Sequence, residues 1–259
     1  MQFTKMNGAG NSFIILDGVR AALDVGRLPA LARALCDTNF GVGADGLMAV
    51  LPAEDADFTM RFYNADGSLG EMCGNGARCI CRYGYETGLS GDCPRVRTTA
   101  GLVTGERISA EQYRVRLPDP TVLQPERVLA VGGREIRCAY VELGKPGLPH
   151  LTVELPELAE TTDDGLRALA RALRYHAALP KGANVNFYTL TGKDAVLLKT
   201  YERGVEDFTC ACGTGTGAVV SVLTLAGRVS GRAVRVKMRG GVLTMDVTAQ
   251  SGAARDLFL

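Results

Sequence analysis

Two short cysteine-glycine segments, one in each half of the chain, carry residue types that could do chemistry. Residues 73–76 read Cys-Gly-Asn-Gly and residues 212–215 read Cys-Gly-Thr-Gly, and each opens a segment with helical periodicity. Glycines let successive backbone N–H groups turn towards an anion, and the helix that follows adds its positive N-terminal end. Because the same field favours a thiolate, each segment predicts a reactive cysteine beside a carboxylate site.

The two segments belong to an internal duplication. Cys73 and Cys212 are 139 positions apart, as are Gly76 and Gly215, and the sequence Leu-Ala-Arg-Ala-Leu at 31–35 returns at 169–173, an offset of 138. Landmarks that keep one spacing to within a residue indicate two copies of one structural unit. Two such units could close on each other and bring the two thiols to opposite sides of one substrate atom.

Opposed thiols suit inversion at the α-carbon of an amino acid. One thiolate would remove the α-proton while the other cysteine, as a thiol, delivers a proton to the opposite face. The sequence offers no group that would hold a cofactor, so fixed dipoles around the carboxylate and exclusion of water would have to stabilise the carbanion. We therefore expect no cofactor.

Composition narrows the classes of partner. The chain of 259 residues carries 29 Lys and Arg against 28 Asp and Glu, a net charge of +1, which disfavours nucleic acid and anionic membranes and favours a small-molecule substrate. The first residues show no basic region followed by an apolar stretch, and no apolar segment is long enough to cross a bilayer, so we expect a cytoplasmic protein. Eight cysteines in that setting indicate thiols, and the Cys-x-Cys spacings at 79–81 and 210–212 argue against a metal site. The glycines that follow Cys212 lack the Gly-x-Gly-x-x-Gly spacing of a dinucleotide site.

The periodicity predicts an α+β fold with many short strands. Helices are predicted at 28–37, 76–87, 164–178 and 215–229. Strands are predicted at 13–16, 47–51, 58–63, 95–99, 113–117, 141–143, 151–155, 185–190, 195–201, 233–238 and 242–247. This order indicates two pseudo-symmetric, barrel-like α/β domains, each with a central helix, and an active site in the cleft between them.

Three prolines within residues 118–125 predict the boundary between the domains. We place it at residue 119, which gives an N-terminal domain of residues 1–119 and a C-terminal domain of residues 120–249. The last residues, 250–259, are expected to return to the N-terminal domain.

At this point the motifs together resemble diaminopimelate epimerase from one end of the chain to the other. They comprise residues 8–13 (Gly-Ala-Gly-Asn-Ser-Phe), 64–67 (Asn-Ala-Asp-Gly), 73–78 (Cys-Gly-Asn-Gly-Ala-Arg), Asn184, 201–204 (Tyr-Glu-Arg-Gly) and 211–215 (Ala-Cys-Gly-Thr-Gly). The resemblance implies an isomerase that converts LL-2,6-diaminopimelate to meso-diaminopimelate in lysine biosynthesis, a PLP-independent racemase, as a cytoplasmic homodimer.

The resemblance also implies roles for individual residues. Cys73 and Cys212 would be the acid and base pair, Cys73 the donor and Cys212 the acceptor in one direction. The other implied residues are those that hold the reacting carboxylate (Gly74, Asn75, Gly213 and Thr214), those that bind the distal end of the substrate (Asn11, Asn64, Asn184, Glu202 and Arg203), and those that orient the site for catalysis (His150 and Glu202). For the Asn-Ala-Asp-Gly segment taken by itself, a hairpin turn is the better interpretation.

One departure from the family pattern keeps alternatives open. Leu148 stands where the family has an asparagine that contacts the distal end, and loss of a hydrogen bond to a buried polar group costs about 1–3 kcal/mol, enough to redirect substrate choice. A racemase of the same fold acting on another amino acid is therefore an alternative. A non-catalytic amino-acid-binding protein is a second. The role of Cys210, two residues before Cys212, stays open.

Overall fold

The computed structural model describes residues 1–70 and 73–259, and it divides into two compact units. The first is Met1–Arg116 and the second is Leu117–Leu259. The boundary thus falls three residues before the expected residue 119. The expectation for residues 250–259 is corrected, because the final strand pairs within the sheet of the second unit and the Leu117 N–H donates to the carbonyl of Leu257 at 2.8 Å.

The first unit contains, in its described part, a seven-stranded sheet and two α-helices. Its elements are β1 (Thr4–Gly8), β2 (Asn11–Asp17), α1 (Leu28–Cys36), β3 (Gly46–Leu51), β4 (Phe58–Asn64), α2 (Gly74–Glu86), β5 (Arg95–Thr98), β6 (Gly101–Arg107) and β7 (Tyr113–Val115). The strands lie in the sheet in chain order. β2 with β3 and β4 with β5 are parallel pairs, each joined through a helix.

The second unit contains a nine-stranded sheet and two α-helices. Its elements are β8 (Pro120–Val131), β9 (Arg134–Leu143), β10 (Leu148–Glu154), α3 (Asp163–Arg174), β11 (Asn184–Gly192), β12 (Ala195–Glu202), β13 (Asp207–Phe208), α4 (Gly213–Leu225), β14 (Val234–Met238), β15 (Gly241–Gln250) and β16 (Ala253–Phe258). The sheet order is β16, β15, β14, β12, β11, β10, β9, β8, and β13 pairs with β12. β10 with β11 and β12 with β14 are parallel.

The two units repeat one topology, which confirms the predicted α+β fold with two similar halves. In each, a parallel strand pair encloses one helix and a second parallel pair encloses another, α1 and α2 in the first unit and α3 and α4 in the second. The sheets are therefore mixed, with four parallel pairs. Each parallel pair needs a crossover connection, and each crossover is a helix.

Each sheet packs a different helix on each face, because successive side chains of a strand point to opposite sides. In the first unit an apolar cluster that includes Ile14 and Leu47 lies with the α1 residues Leu28 and Ala32. In the second unit the equivalent cluster joins strands β10 to β12 with α3. α2 and α4 are buried along most of their length, so they are the predicted central helices.

The helices begin earlier than the periodicity predicted where they follow a cysteine. α2 begins at Gly74 and α4 at Gly213, two residues before the predicted starts, because Cys73 and Cys212 are themselves the N-cap residues. α3 begins within a residue of its prediction, since Thr162 caps it through a 3.2 Å hydrogen bond from the Gly165 N–H.

The proline-rich segment predicted as the boundary also contains the start of strand β8. Proline removes a backbone donor, which a central strand would need. β8 is an edge strand of its sheet, and its pairing with β9 shifts register between Pro120 and Val122 and again between Gln124 and Arg127, around Pro125. An edge position and β-bulges therefore accommodate both prolines.

Among the described residues, the search for a helix of sufficient length and apolar character to span a lipid bilayer finds none.

Candidate active site

Cys73 lies at the start of helix α2. It is the N-cap residue with an extended backbone (φ −121°, ψ 115°), and its carbonyl accepts the Ala77 N–H at 2.7 Å. The side chain is half-buried. The first N–H groups of a helix have no carbonyl acceptor within it, so this thiol stands beside backbone donors at the positive end of the helix.

A chain of side-chain hydrogen bonds fixes the residues next to Cys73. The buried Asn75 donates through Nδ2 to Asn11 Oδ1 at 2.8 Å, and its own Oδ1 accepts from Arg78 Nη2 at 2.9 Å. Arg78 Nη1 also donates to the Gly74 carbonyl at 3.3 Å. Burial lowers the pKa of Arg78, and the nearby cysteines, Cys73 among them, oppose that shift. The structure thus brings Asn11, Gly74 and Asn75 together and adds a cation to which the sequence analysis gave no role.

Asn64 ends β4 and opens the hairpin turn that follows, as the turn interpretation of its segment predicted. Its Nδ2 donates to Ser68 Oγ at 2.9 Å, and its carbonyl accepts the Gly67 N–H at 2.9 Å. Gly67 has φ +83°, a left-handed conformation that favours glycine in a turn. The Asn64 side chain is exposed, and its binding role stays a prediction.

Cys212 lies at the start of α4 in the same backbone conformation as Cys73 (φ −128°, ψ 108°). Its Sγ accepts the N–H of Gly215 at 3.3 Å and lies 3.6 Å from Thr214 Oγ1. Only 4% of the residue is exposed. A backbone donor aimed at the sulfur and the helix N-terminus both favour its thiolate form, and burial opposes it.

The predicted ligands of the second unit gather at the ends of β11 and β12. The Arg203 N–H donates to Asn184 Oδ1 at 2.7 Å, and Arg203 Nη1 donates to the Lys181 carbonyl at 3.2 Å. Burial raises the pKa of Glu202, opposed by the Thr209 hydroxyl. A carboxylate in such surroundings gains more than an exposed one from a bound ammonium group.

His150 is completely buried in β10, in register with Asn184 of β11. Its Nδ1 lies 3.3 Å from Asn186 Nδ2. Burial, and secondarily the charge of Arg203, lower the pKa of His150 to about 3. The imidazole is therefore neutral near pH 7, in keeping with the predicted orienting role.

Sequence analysis missed Asn186 and Thr200, which are both fully buried. The Thr200 hydroxyl donates to Asn186 Oδ1 at 2.9 Å, and Asn186 Nδ2 donates to the Leu151 carbonyl at 2.9 Å. The duplication contained a signal for them, because the offset of 138 that relates the two leucine-rich segments places Asn186 and Thr200 at Met48 and Phe62 of the first half. Polar residues at positions that are apolar in the other copy indicate a local need for hydrogen bonds.

Two further observations concern metal ligands and Cys210. Among residues 1–70 and 73–259, no group of three or more His, Cys, Asp or Glu side chains could hold a metal ion. Cys210 Sγ accepts from Arg239 Nη2 at 3.5 Å, and the Cys210 carbonyl accepts the Gly240 N–H at 2.7 Å.

Each unit therefore carries one thiol at the N-terminus of its central helix, next to amide and side-chain donors. Such a thiol can take up or release a proton, and the adjoining N–H groups can bind a carboxylate. This is the chemistry of proton exchange next to a carboxylate.

Solved structures share this fold at low sequence identity. A hydroxyproline epimerase from Agrobacterium vitis matches with a TM-score of 0.69 and 19% identity, covering 100% of this chain and 88% of that one. A PhzF-family phenazine biosynthesis protein from Bacillus anthracis matches with a TM-score of 0.71 and 15% identity, covering 99% and 93%. These likenesses define the two-domain fold class.

Sequence comparisons define the family within that class. The family model for diaminopimelate epimerase matches residues 3–119 and 144–255. The diaminopimelate epimerase of Archaeoglobus fulgidus is 38% identical over 256 residues, covering 95% of this chain and 89% of that protein, and the diaminopimelate epimerase of Aquifex aeolicus is 37% identical over 258 residues, covering 95% and 90%. The chain belongs to the diaminopimelate epimerase family, a family of isomerases.

Proposed function

We propose that this protein converts LL-2,6-diaminopimelate to meso-2,6-diaminopimelate without a cofactor, as a step of lysine biosynthesis. Membership of the diaminopimelate epimerase family supports the substrate and the reaction. The observation that carries the mechanism is the position of Cys73 and Cys212, each directly before the first turn of a buried helix in its own unit.

The proposed reaction is a proton exchange at one α-carbon. The thiolate of one cysteine takes the α-proton, so that an S–H bond forms while the C–H electron pair stays on the carbon next to the carboxylate. The other cysteine gives up its S–H proton to the opposite face, which forms the new C–H bond and leaves a thiolate. One cysteine must be charged while the other is neutral, so the two titrate as a coupled pair.

Contacts in the second unit support Cys212 as the proton acceptor in one direction of the reaction. The Gly215 N–H and the positive end of α4 both favour the thiolate over the thiol. Cys73 would then be the donor, and the reverse reaction would exchange the two roles. The backbone N–H groups of Gly74, Asn75, Gly213 and Thr214 would hold the reacting carboxylate.

The remaining polar residues would recognise the distal end of the substrate, which carries a second carboxylate and a second ammonium group. Arg203 and the amides of Asn11, Asn64 and Asn184 would bind it by hydrogen bonds. Glu202 would pair with an ammonium group, since its partial burial leaves the carboxylate short of solvation. His150 would orient the site as a neutral imidazole.

Isotope exchange tests the proposal. The protein is incubated with LL-diaminopimelate in heavy water under reducing conditions, and products are resolved by chirality and mass. We expect meso-diaminopimelate with deuterium at one α-carbon. No exchange with any amino acid would instead leave a non-catalytic binding protein.

Leu148 favours one second candidate, a racemase of the same fold for another amino acid. This half-buried leucine begins β10 and pairs with Leu143 of β9, so it presents no amide at the position where the family has an asparagine. Turnover of lysine, histidine or glutamate in the same assay, without turnover of diaminopimelate, would select this candidate.

The family resemblance also supports a homodimer that works in the cytoplasm, where thiols stay reduced. Light scattering during size-exclusion chromatography tests the assembly. A mass of twice 27.5 kDa is the expected result, and a monomer at enzymatically active concentrations would contradict it.

A further inference from the structure

The sheet positions beneath the two central helices are equivalent in register but opposite in chemistry. Met48 pairs with Phe62 between β3 and β4, and Asn186 pairs with Thr200 between β11 and β12. In the first unit, strand β2 lies beside β3 and carries Phe13, in register with Gly46. In the second unit, strand β10 lies beside β11 and carries His150 at the equivalent position, in register with Asn184. Three apolar residues in one unit thus correspond to three polar residues in the other.

The apolar version shows what the fold itself requires. Phe13 and Phe62 pack edge to face with their ring centroids 6.0 Å apart. Met48 is on β3, which lies between the strands that carry these two rings, β2 and β4. A buried polar group costs free energy unless it is hydrogen-bonded. Because the first unit folds with three apolar residues at these positions, the fold itself does not need Asn186, Thr200 and His150. Their presence in one unit alone points to a task specific to that unit.

The hydrogen bonds of Asn186 have one consistent direction. The Leu151 carbonyl can only accept, so it identifies the Asn186 nitrogen, and Asn186 Oδ1 is then the acceptor for the Thr200 hydroxyl. The same nitrogen lies 3.3 Å from His150 Nδ1 and 3.5 Å from the Asn184 carbonyl, and as a donor it makes Nδ1 an acceptor. The proton of the neutral imidazole is therefore on Nε2, which is buried with no hydrogen-bond partner within the described residues.

The same pair supports the turn that carries Cys212. A Cβ atom built on Gly215 would collide with Asn186 Oδ1 and would lie 3.1 Å from Thr200 Oγ1 and 3.2 Å from Cys212 Sγ. The amide and hydroxyl are thus in close contact with the residue whose N–H donates to the sulfur. Movement of Asn186 would move this donor.

We propose that Asn186 and Thr200 are positioning residues for the acid–base chemistry, which rests on the proposed function. The Leu151 carbonyl fixes the Asn186 nitrogen, which holds His150 in its Nε2–H tautomer, and the Thr200 hydroxyl fixes Asn186 Oδ1 beneath the first turn of α4 that carries Cys212. Without the hydroxyl, Oδ1 loses its donor next to Gly215, while the amide nitrogen still faces the Leu151 carbonyl and His150 Nδ1.

The chain offers a matched control for this test. Thr152 is also buried, lies opposite Asn186 in the neighbouring strand β10, and its hydroxyl has no hydrogen-bond partner within the described residues. Thr200→Val and Thr152→Val make the same chemical change on either side of Asn186. Thr200→Ser keeps the hydroxyl and removes only the methyl group.

The first readout is the tautomer of His150 in the unliganded protein, measured by long-range ¹⁵N–¹H NMR. The chain has two histidines, and His176 is an internal reference, because its Nδ1 accepts the Ala178 N–H at 3.2 Å and its Nε2 faces the Ala130 carbonyl at 3.2 Å. We expect Nε2–H at His150 in the wild type and in all three threonine variants, because the Leu151 carbonyl still fixes the amide nitrogen. A substantial Nδ1–H population in the wild type would show that Asn186 does not hold the imidazole.

The second readout is the kinetics. We expect Thr200→Val to lower kcat about ten-fold with KM changed less than about two-fold, and Thr152→Val and Thr200→Ser to stay within about two-fold of wild type. If Thr200→Val does not fold, Thr200→Ala, which adds no bulk, replaces it. The proposal is overturned if His150 of the wild type carries its proton on Nδ1, if kcat is unchanged in Thr200→Val, or if Thr152→Val lowers kcat equally. Failure of the wild type to act on diaminopimelate would defeat the proposed function alone, since the tautomer is measured without substrate and still tests whether Asn186 holds His150.

Discussion

The turn that carries Cys73 and the turn that carries Cys212 share a backbone but rest on different surroundings. Both cysteines cap a buried helix with nearly the same φ and ψ. Beneath Gly76 lie the Met48 methyl and the Phe13 ring, whereas beneath Gly215 lie an amide oxygen and a hydroxyl. The duplicated fold supplies two similar thiols, and the side chains beneath them make the two sites chemically different. A reaction that needs one acid and one base can use such a difference.

Replacement of either cysteine gives the largest expected effect. Cys73→Ser and Cys212→Ser should each lower kcat by about 10³-fold or more, because a serine hydroxyl is a far weaker acid at the required pH. Thermal melts should show that both variants fold. Cys93→Ser, which changes an exposed cysteine, is the control and should retain activity. Substantial activity in Cys73→Ser or Cys212→Ser would show that the replaced cysteine is not needed, so that the two turns do not both supply a reacting thiol.

Replacing each of the two equivalent glycines with alanine should lower the free energy of unfolding by different amounts in the two turns. Gly215→Ala should destabilise by about 2–4 kcal/mol, because the new methyl group collides with hydrogen-bonded, buried polar atoms that cannot move without loss of those bonds. Gly76→Ala meets the flexible end of Met48 and should cost under about 1 kcal/mol. Urea unfolding measures both, and equal costs would contradict the described difference.

The buried imidazole predicts a pH dependence that belongs to the second unit. Burial lowers the pKa of His150 from 6.5 to about 3, so between these values the unfolded chain binds a proton that the folded chain does not. Stability from this group is therefore complete above pH 6.5 and falls by about 1.4 kcal/mol per unit as the pH decreases towards 3. His150→Gln should lessen the loss between pH 7 and pH 5 by about 2 kcal/mol in urea unfolding. An unchanged loss would mean that His150 is solvated.

The smallest effect is expected in the apolar surroundings of the first unit. Met48→Leu conserves volume and polarity, so it should cost less than about 1.5 kcal/mol and leave kcat within about two-fold of wild type. Thermal melts and the isotope assay check both values. A large loss of activity would show that residues beneath the Cys73 turn also adjust the chemistry.

The sequence predicted the fold where one local signal dominated. All four helices and most buried strands followed from periodicity, and the offset of 139 predicted the repeated topology. Strand β8 was missed because the prolines at 120 and 125 are strand breakers unless an edge position and bulges accommodate them, and both conditions depend on the rest of the sheet. Strand β16 was missed for a related reason, since its partner β15 was needed to recognise it.

The candidate site was predictable where the motif itself holds the chemistry. Cys73, Cys212 and their glycines were found because cysteine and glycine before a helix have a direct physical interpretation. Asn186 and Thr200 were missed because an isolated asparagine or threonine in a strand carries no such signal, and their importance lies in contacts across β10, β11 and β12. Comparison of the two copies position by position is what would have found them.

The most direct test of the central claim follows deuterium into substrate and product separately. LL-diaminopimelate is incubated with the protein in heavy water, the reaction is stopped at low conversion, and both the recovered LL form and the meso form are analysed by mass. With two different thiols acting on one carbon, the product should carry an α-deuteron while the recovered substrate stays unlabelled. Equal labelling of substrate and product would show that a single group removes and returns the proton, which contradicts a division of labour between Cys73 and Cys212.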